Sequence, residues 1–229
     1  LPILLGFLLP SAALLTWSIE TAEQVINARF FGFALNSFTL ALLTSAIAVG
    51  IAVVLAYGTR LRQGRLIAGA IRVAGMGYAV PGAVIAVGIL LVSSEFDNTI
   101  DAWLRTSVGL SSGLIFTGTV AGIVFAYLVR FLAISLNTIE ASLTKITPNM
   151  DSAARTLGHR PLAMLHRVHV PLMWSSLLTA STLVFVDVMK ELPATIIMRP
   201  FNFDTLAIRA YQLASDEQLA EASPAALGI

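Results

Sequence analysis

Asp151-Ser-Ala-Ala-Arg-Thr-Leu-Gly158-His-Arg-Pro161-Leu-Ala-Met-Leu-His-Arg-Val168-His-Val-Pro171 is a polar, basic interruption between long apolar segments. An alanine pair, a glycine and two prolines punctuate it at definite spacings. A chain that is otherwise apolar has little reason to keep such an amphipathic stretch unless it docks onto another molecule. Everything else in the sequence bears on what that contact is.

The apolar surroundings are extreme. Hydrophobic residues make up 57% of the 229 positions, charged residues 12%, and the mean hydropathy is +0.84. Soluble domains carry about 25% charged residues, so this composition points to a membrane protein. A net charge of +1 gives no reason to expect a nucleic-acid partner. Cysteine is absent, which excludes a disulfide framework, a thiolate metal site and a cysteine nucleophile. The first residue is Leu1 and no charged segment precedes the first apolar run, so that run reads as a span of a cut-down chain rather than a signal peptide.

A span needs about 20 mostly apolar residues to cross about 30 Å of hydrocarbon. The candidates are 1–17, 34–57, 68–92, 114–137 and 172–190, and a sixth apolar run starts near Ala222 and stops at Ile229 as a truncated span. The expected fold is all-α: one polytopic transmembrane helical bundle over 1–229, with five to six spans. Short-loop arginines and lysines set the orientation. The loop after the second span holds Arg60, Arg62 and Arg65, the next holds Glu95, Asp97 and Asp101 against Arg105, and the loop 139–171 holds Lys145, Arg155, Arg160 and Arg167 against Glu140 and Asp151. Basic, acidic, basic places 58–66 and 139–171 in the cytoplasm. Residues 18–33, 93–113 and 191–216 then face the other side.

Within 139–171 the sequence predicts two short helices joined at Gly158. Met150 to Leu157 are good helix formers, with Asn149 or Asp151 as N-cap. Gly158 suits the left-handed conformation that ends a helix, and Pro161 suits the first turn of the next. Leu162, Leu165 and Val168 then fall on one side, Arg160, His166, Arg167 and His169 form a basic remainder, and Pro171 marks re-entry into the membrane. Ala153-Ala154 leaves a smooth surface that another protein can approach.

These residues resemble a cytoplasmic motif of permeases in binding-protein-dependent ABC importers: E-A-A, three residues, G, nine residues, I-x-L-P. Ser152-Ala153-Ala154, Gly158 and Val168-His169-Val170-Pro171 fall at that spacing without a gap. Ser152 replaces the Glu, with Asp151 beside it as a substitute carboxylate, and Val168 and Val170 replace the Ile and Leu. The resemblance implies a type I importer permease fold. It makes Asp151, Ser152, Ala153, Ala154, Gly158, Arg160 and Pro171 an ATPase-coupling surface.

A second likeness is narrower. Phe185-Val-Asp187-Val-Met-Lys190-Glu191-Leu-Pro193-Ala-Thr, then Arg199-Pro-Phe-Asn-Phe-Asp204-Thr-Leu-Ala and Tyr211-Gln-Leu-Ala-Ser-Asp-Glu217, resemble ferric-iron importer permeases, and the chain is similar to the C-terminal half of such a protein. The implied partners are a cytoplasmic ABC ATPase dimer, a periplasmic substrate-binding protein, a second permease half (fused or separate) and the bilayer of the bacterial inner membrane. The implied cargo is ferric iron, with sulfate, molybdate, thiamine or a polyamine as alternatives. No cofactor is expected on this chain, since ATP belongs to the partner ATPase.

Asp187, Lys190 and Glu191 share one helical face by i, i+3 and i, i+4 spacing. Charges near a span end are costly unless paired or facing water, so they either line the translocation path or form a structural ion-pair cluster. Pro81, in Tyr78-Ala-Val-Pro81-Gly82, either opens a pathway or improves packing at a kink. Gly69, Gly75, Gly77, Gly118 and Gly122 allow close helix approach. His159, His166 and His169 read as polar surface positions of a docking helix rather than metal ligands, and Arg130 as a side chain snorkelling to the headgroups. No G-x-x-x-x-G-K-[ST] segment is present, so the chain is not expected to be an enzyme. An intramembrane protease has no Ser-His or Asp-Asp pair on facing spans, and a channel leaves the segment 151–171 unexplained.

Overall fold

The computed structural model describes residues 1–61 and 64–229; Arg62, one of the arginines used for orientation, lies outside the described residues. Every regular element among the described residues is helical. Among the described residues four helices have the length and apolarity to cross a membrane: α1 (Leu4–Val25, beginning as a π turn), α2 (Ala28–Leu61), α4 (Gly82–Ser107) and α5 (Val120–Leu143). Between α2 and α4 lies α3 (Arg65–Met76). After α5 come α6 (Pro148–Thr156), α7 (Pro161–Leu172), α8 (Trp174–Met189), α9 (Pro193–Met198), α10 (Leu206–Ser215) and α11 (Leu219–Leu227). Helices α7 and α8 together make a fifth candidate span, bent by 77° at Met173.

Several boundaries differ from the sequence reading, two of them around α4. The expected span 68–92 is broken: α3 ends at Met76, a 3-10 turn covers Gly77–Ala79, and a new helix starts at Gly82. Pro81, with no N–H to donate, sits in that break, and its carbonyl accepts from the Val84 and Ile85 amides. The acidic stretch read as a loop from 93 is instead helix as far as Ser107. Ser93, Asp97, Ile100, Asp101 and Leu104 form its buried and half-buried stripe, spaced as one helical face. The Asp101–Arg105 ion pair at 2.6 Å supports the last turns.

The chain packs as two compact units, each drawn from three stretches. One comprises 42–85 and 124–187. Its core joins Ala52 and Ala56 of α2, Leu136, Ile139 and Leu143 of α5, then Ile146, Met173, Leu177 and Ala180. Ala48, Ala52 and Ala56 are buried at four-residue spacing, a small-residue stripe that lets helix backbones approach. Gly77 is needed for the same reason, since a Cβ there would overlap the Val129 carbonyl, but Gly69 and Gly75 have open space around them.

The other unit comprises 1–41, 86–123 and 188–229. Here α11 packs on α1, with the Thr21 hydroxyl donating to the Ala220 carbonyl at 3.2 Å. The stretch Arg199–Thr205 is closed by an Arg199–Asp204 ion pair and held to α2 by the Asn36 amide, which donates to the Asp204 carbonyl at 3.0 Å. Ser37 accepts from the Leu206 amide at 2.9 Å. The run near Ala222, expected to begin a span, belongs to the short helix α11, which carries Pro224 inside it. Helix α5 starts at Val120 rather than 114 because Asp97 takes the Phe116 and Thr117 amides into a loop, and Gly118 follows at φ +67°.

Candidate functional site

The segment 144–172 folds as helix, left-handed glycine, helix. Gly158 has φ +80°. Its amide donates to the Arg155 carbonyl at 2.9 Å, and the His159 amide reaches back to the Ala154 carbonyl at 3.1 Å. That bond pair is a Schellman ending, in which the residue after the helix must adopt a conformation a Cβ penalises. Pro161 opens α7 as its first residue, after Arg160 in extended backbone. Both features match the sequence reading.

The N-terminus of α6 does not. Thr147 is the N-cap, without a side-chain bond, and Pro148 is the first helical residue, so neither Asn149 nor Asp151 caps the helix. Asp151 is turned inward. Its Oδ2 accepts from Arg60 Nε at 2.8 Å and its Oδ1 pairs with His169 Nε2 at 2.8 Å, leaving its side chain 13% exposed. A carboxylate can only accept, so His169 carries its hydrogen on Nε2. Burial alone would raise the Asp151 pKa; the Arg60 and His169 bonds and charges outweigh it and hold the carboxyl below its ordinary value. Asp151 therefore does not stand in as an exposed acid beside Ser152.

His169 is also corrected: it is fully buried, not a surface position. The cause is a π turn over Leu165–His169, whose extra residue per turn rotates the following positions. The expected apolar side holds for Leu165 and Val168 but not for Leu162, which precedes that turn. Met164, Leu165 and Val168 pack with Tyr57 and Ala154, whereas Leu162 is 77% exposed. His159 is half-buried and His166 exposed. Of the alanine pair, Ala154 is buried and Ala153 exposed. The outward face is thus Ser152, Ala153, Arg155, Leu157, Gly158, Arg160 and Leu162. Pro171 lies just before the 77° bend into α8.

Two residues were not singled out from sequence. Arg60 was counted only as a topological charge, yet its Nη1 and Nη2 donate to the Leu143 and Ile146 carbonyls at 2.7 Å each. Tyr57, one turn earlier on α2, donates its hydroxyl to the Pro161 carbonyl at 2.8 Å and meets the His169 ring edge-on at 5.2 Å. Their i, i+3 spacing at the end of an apolar helix was the available signal.

The remaining candidates lie elsewhere. Helix α8 ends at Met189, so Lys190 and Glu191 are past it and Asp187 and Glu191 do not share a helical face. Pro193 opens the next helix; Glu191 is buried and accepts from the Ala194 amide through Oε1 at 3.2 Å. Arg130 does not reach outward: its Nε and Nη1 are buried and its guanidinium lies 5.4 Å from the Phe131 ring centroid. Among the described residues no group of three or more His, Asp or Glu is placed to hold a metal.

No family model matches the chain. It is 29% identical over 150 residues to the Fe(3+)-transport system permease protein FbpB 2 of Haemophilus influenzae, a match covering 66% of this chain and 26% of that protein. It is 24% identical over 143 residues to the putative 2-aminoethylphosphonate transport system permease protein PhnV of Salmonella paratyphi A, covering 62% of this chain and 48% of the relative. The chain thus spans about a quarter to a half of these relatives' lengths. In fold it matches a bacterial alginate ABC transporter, solved in complex with an alginate pentasaccharide-bound periplasmic protein, at TM-score 0.79 and 13% identity, over 98% of this chain and 83% of the other. Kinship and fold agree: over about two thirds of its length the chain is similar to transport-system permease proteins, it shares the fold of a chain of an ABC transporter, and its four or five long apolar helices suit a multi-pass membrane protein.

Proposed function

We propose that this chain forms part of the translocation pathway of an importer for ferric iron and docks a cytoplasmic ABC ATPase through the outward face of α6, Gly158 and α7. The observation that carries the docking reading is the division of that segment into two sides. Ala154, Met164 and His169 are buried against α2, while Ser152, Ala153, Leu157 and Leu162 stay exposed. An exposed leucine pair flanking a glycine turn is surface another protein can cover. Closure of an ATPase dimer would displace two such turns, one from each permease half, and a periplasmic binding protein would deliver cargo opposite. Each state of the pore then differs in its contacts with ATP or binding protein, as a population shift requires.

Ferric iron is supported by the FbpB 2 relative. A phosphonate is the second reading, supported by the PhnV relative. Asp187, Lys190 and Glu191 are assigned to the pathway along with Pro81, Glu191 also accepting the Ala194 amide in the first turn of α9.

The test is reconstitution of the full importer in proteoliposomes, with uptake of radiolabelled ferric iron and of 2-aminoethylphosphonate followed in parallel. Iron uptake that needs ATP supports the assignment; phosphonate uptake alone moves it to the second reading. Gly158→Glu is expected to insert normally and to abolish ATP hydrolysis stimulated by the binding protein. Normal transport by Gly158→Glu would show that the turn does not dock the ATPase.

A further inference from the structure

A docking surface moves nothing unless it is fixed to what must move. The turn 148–172 joins α5 through the short connection 144–147 and α8 through the bend at Met173. Those backbone joints alone would absorb a push. The side chains beneath the turn remove that slack. Arg60 spends its fork of donors on three segments at once: Asp151 of α6, the Leu143 carbonyl at the last residue of α5, and the Ile146 carbonyl of the connection. The Leu143 carbonyl also accepts from the Ile146 amide at 3.2 Å, and Arg60 adds a charged donor to the same end of α5. Asp151 then joins this point to His169 in α7. Tyr57 joins α2 to α7 a second time at Pro161.

We propose that Arg60, Asp151 and His169, together with Tyr57, form a rigid joint that carries displacement of the coupling turn into α2 and α5, with Asp151 as a positioning residue rather than an ATPase contact. The inference rests on the docking reading above. His169 is 0% exposed and its Nδ1 is buried with no hydrogen-bond partner, so its polar interaction is made with Asp151. The Arg60 charge balances Asp151, and charge-assisted bonds of this length are stronger and more directional than neutral ones. Leaving one partner of such a partly buried pair uncompensated is costly. Both Asp151 oxygens are used inside the chain, which leaves docking to its exposed neighbours.

The experiment uses the reconstituted importer with its ATPase and binding protein. It measures ATPase retained on the complex, basal hydrolysis, and cargo moved per ATP. Asp151→Asn is expected to keep the ATPase bound and hydrolysing while transport per ATP falls roughly tenfold, and Asp151→Glu, which keeps the carboxylate, to recover most of it. Loss of the ATPase from Asp151→Asn overturns the joint and makes Asp151 a docking residue; wild-type transport per ATP overturns it too. If Asp151→Asn fails to insert, Tyr57→Phe decides, since it removes one bond and no charge. A fall of roughly twofold in transport per ATP with ATPase retained supports the joint, and no fall overturns it. Failure of the docking reading shows separately: Ala153→Trp on the exposed face would then leave ATPase binding and transport unchanged.

Discussion

Two regions of this molecule each hang an irregular segment from an inward-facing carboxylate, by different means. In the connection from α4 to α5, Asp97 accepts from the Phe116 and Thr117 amides at 3.1 and 2.8 Å, and Asp101 from Ser111, Ser112 and Gly113. In the turn 144–172, Asp151 instead accepts from the side chains of Arg60 and His169. A carboxylate on backbone amides fixes the shape of one loop and depends little on side chains outside it. A carboxylate on side chains ties separate helices together, so that they move as one. The first device suits a lid that holds its shape, the second a part that must transmit motion.

The largest effect that would sharpen this contrast is expected from Asp97→Ala. Asp97 is fully buried, so its loss orphans two amides and removes charged hydrogen bonds at a combined cost of about 3 kcal/mol. Hydrogen exchange should quicken at Phe116 and Thr117 in detergent-solubilised protein while the turn 144–172 keeps its protection. If exchange rises equally in both regions, the loop is not a local device and the contrast fails.

Next in size is Gly158→Ala. Nothing lies within 4 Å of the added Cβ, so the cost is purely that of the left-handed backbone, about 1 kcal/mol. Asn, which tolerates that conformation, should cost less. Thermal unfolding of the two variants reads the order directly. Equal losses would mean that the side chain meets something beyond the chain's own backbone preference, which would weaken the picture of an open turn held from beneath.

The legibility of the two regions also differs, for physical reasons. Gly158 and Pro161 were readable because each acts on its own backbone: one supplies a positive φ, the other a preset φ at a helix start. The spacing of Ala153, Gly158 and Pro171 was readable through its resemblance to the permease motif. His169 was not, since its burial depends on a π turn that shifts the phase of α7 and on α2 packing above it. Asp97 and Asp101 were misread as an acidic loop because their charges masked a helix face. They face inward to serve a loop 10 to 20 residues later in the chain, a distance that no periodicity records. Glu191 failed in the opposite sense. Helical spacing was applied across a helix end that Pro193, two residues on, had already marked.

The smallest effect is a pH response confined to the Asp151 region. The folded-state pKa of Asp151 lies below the ordinary 3.8, with burial opposing and the Arg60 and His169 bonds more than compensating. A depressed carboxyl pKa means that the unfolded state takes up protons first as pH falls. The Asp151 contribution is therefore fully present above the unfolded value and is lost as pH falls through the lower folded-state value. Between pH 7 and pH 5, hydrogen-exchange protection of α6, corrected for the intrinsic pH dependence of exchange, should stay flat with respect to this group. It should decline only below the ordinary carboxylate range, and Asp151→Asn should abolish that decline while leaving any response of the α4–α5 loop in place. A loss of α6 protection already at pH 5 in the parent protein, persisting in Asp151→Asn, would mean that some other group holds the turn and that the two carboxylates do not divide the work as described.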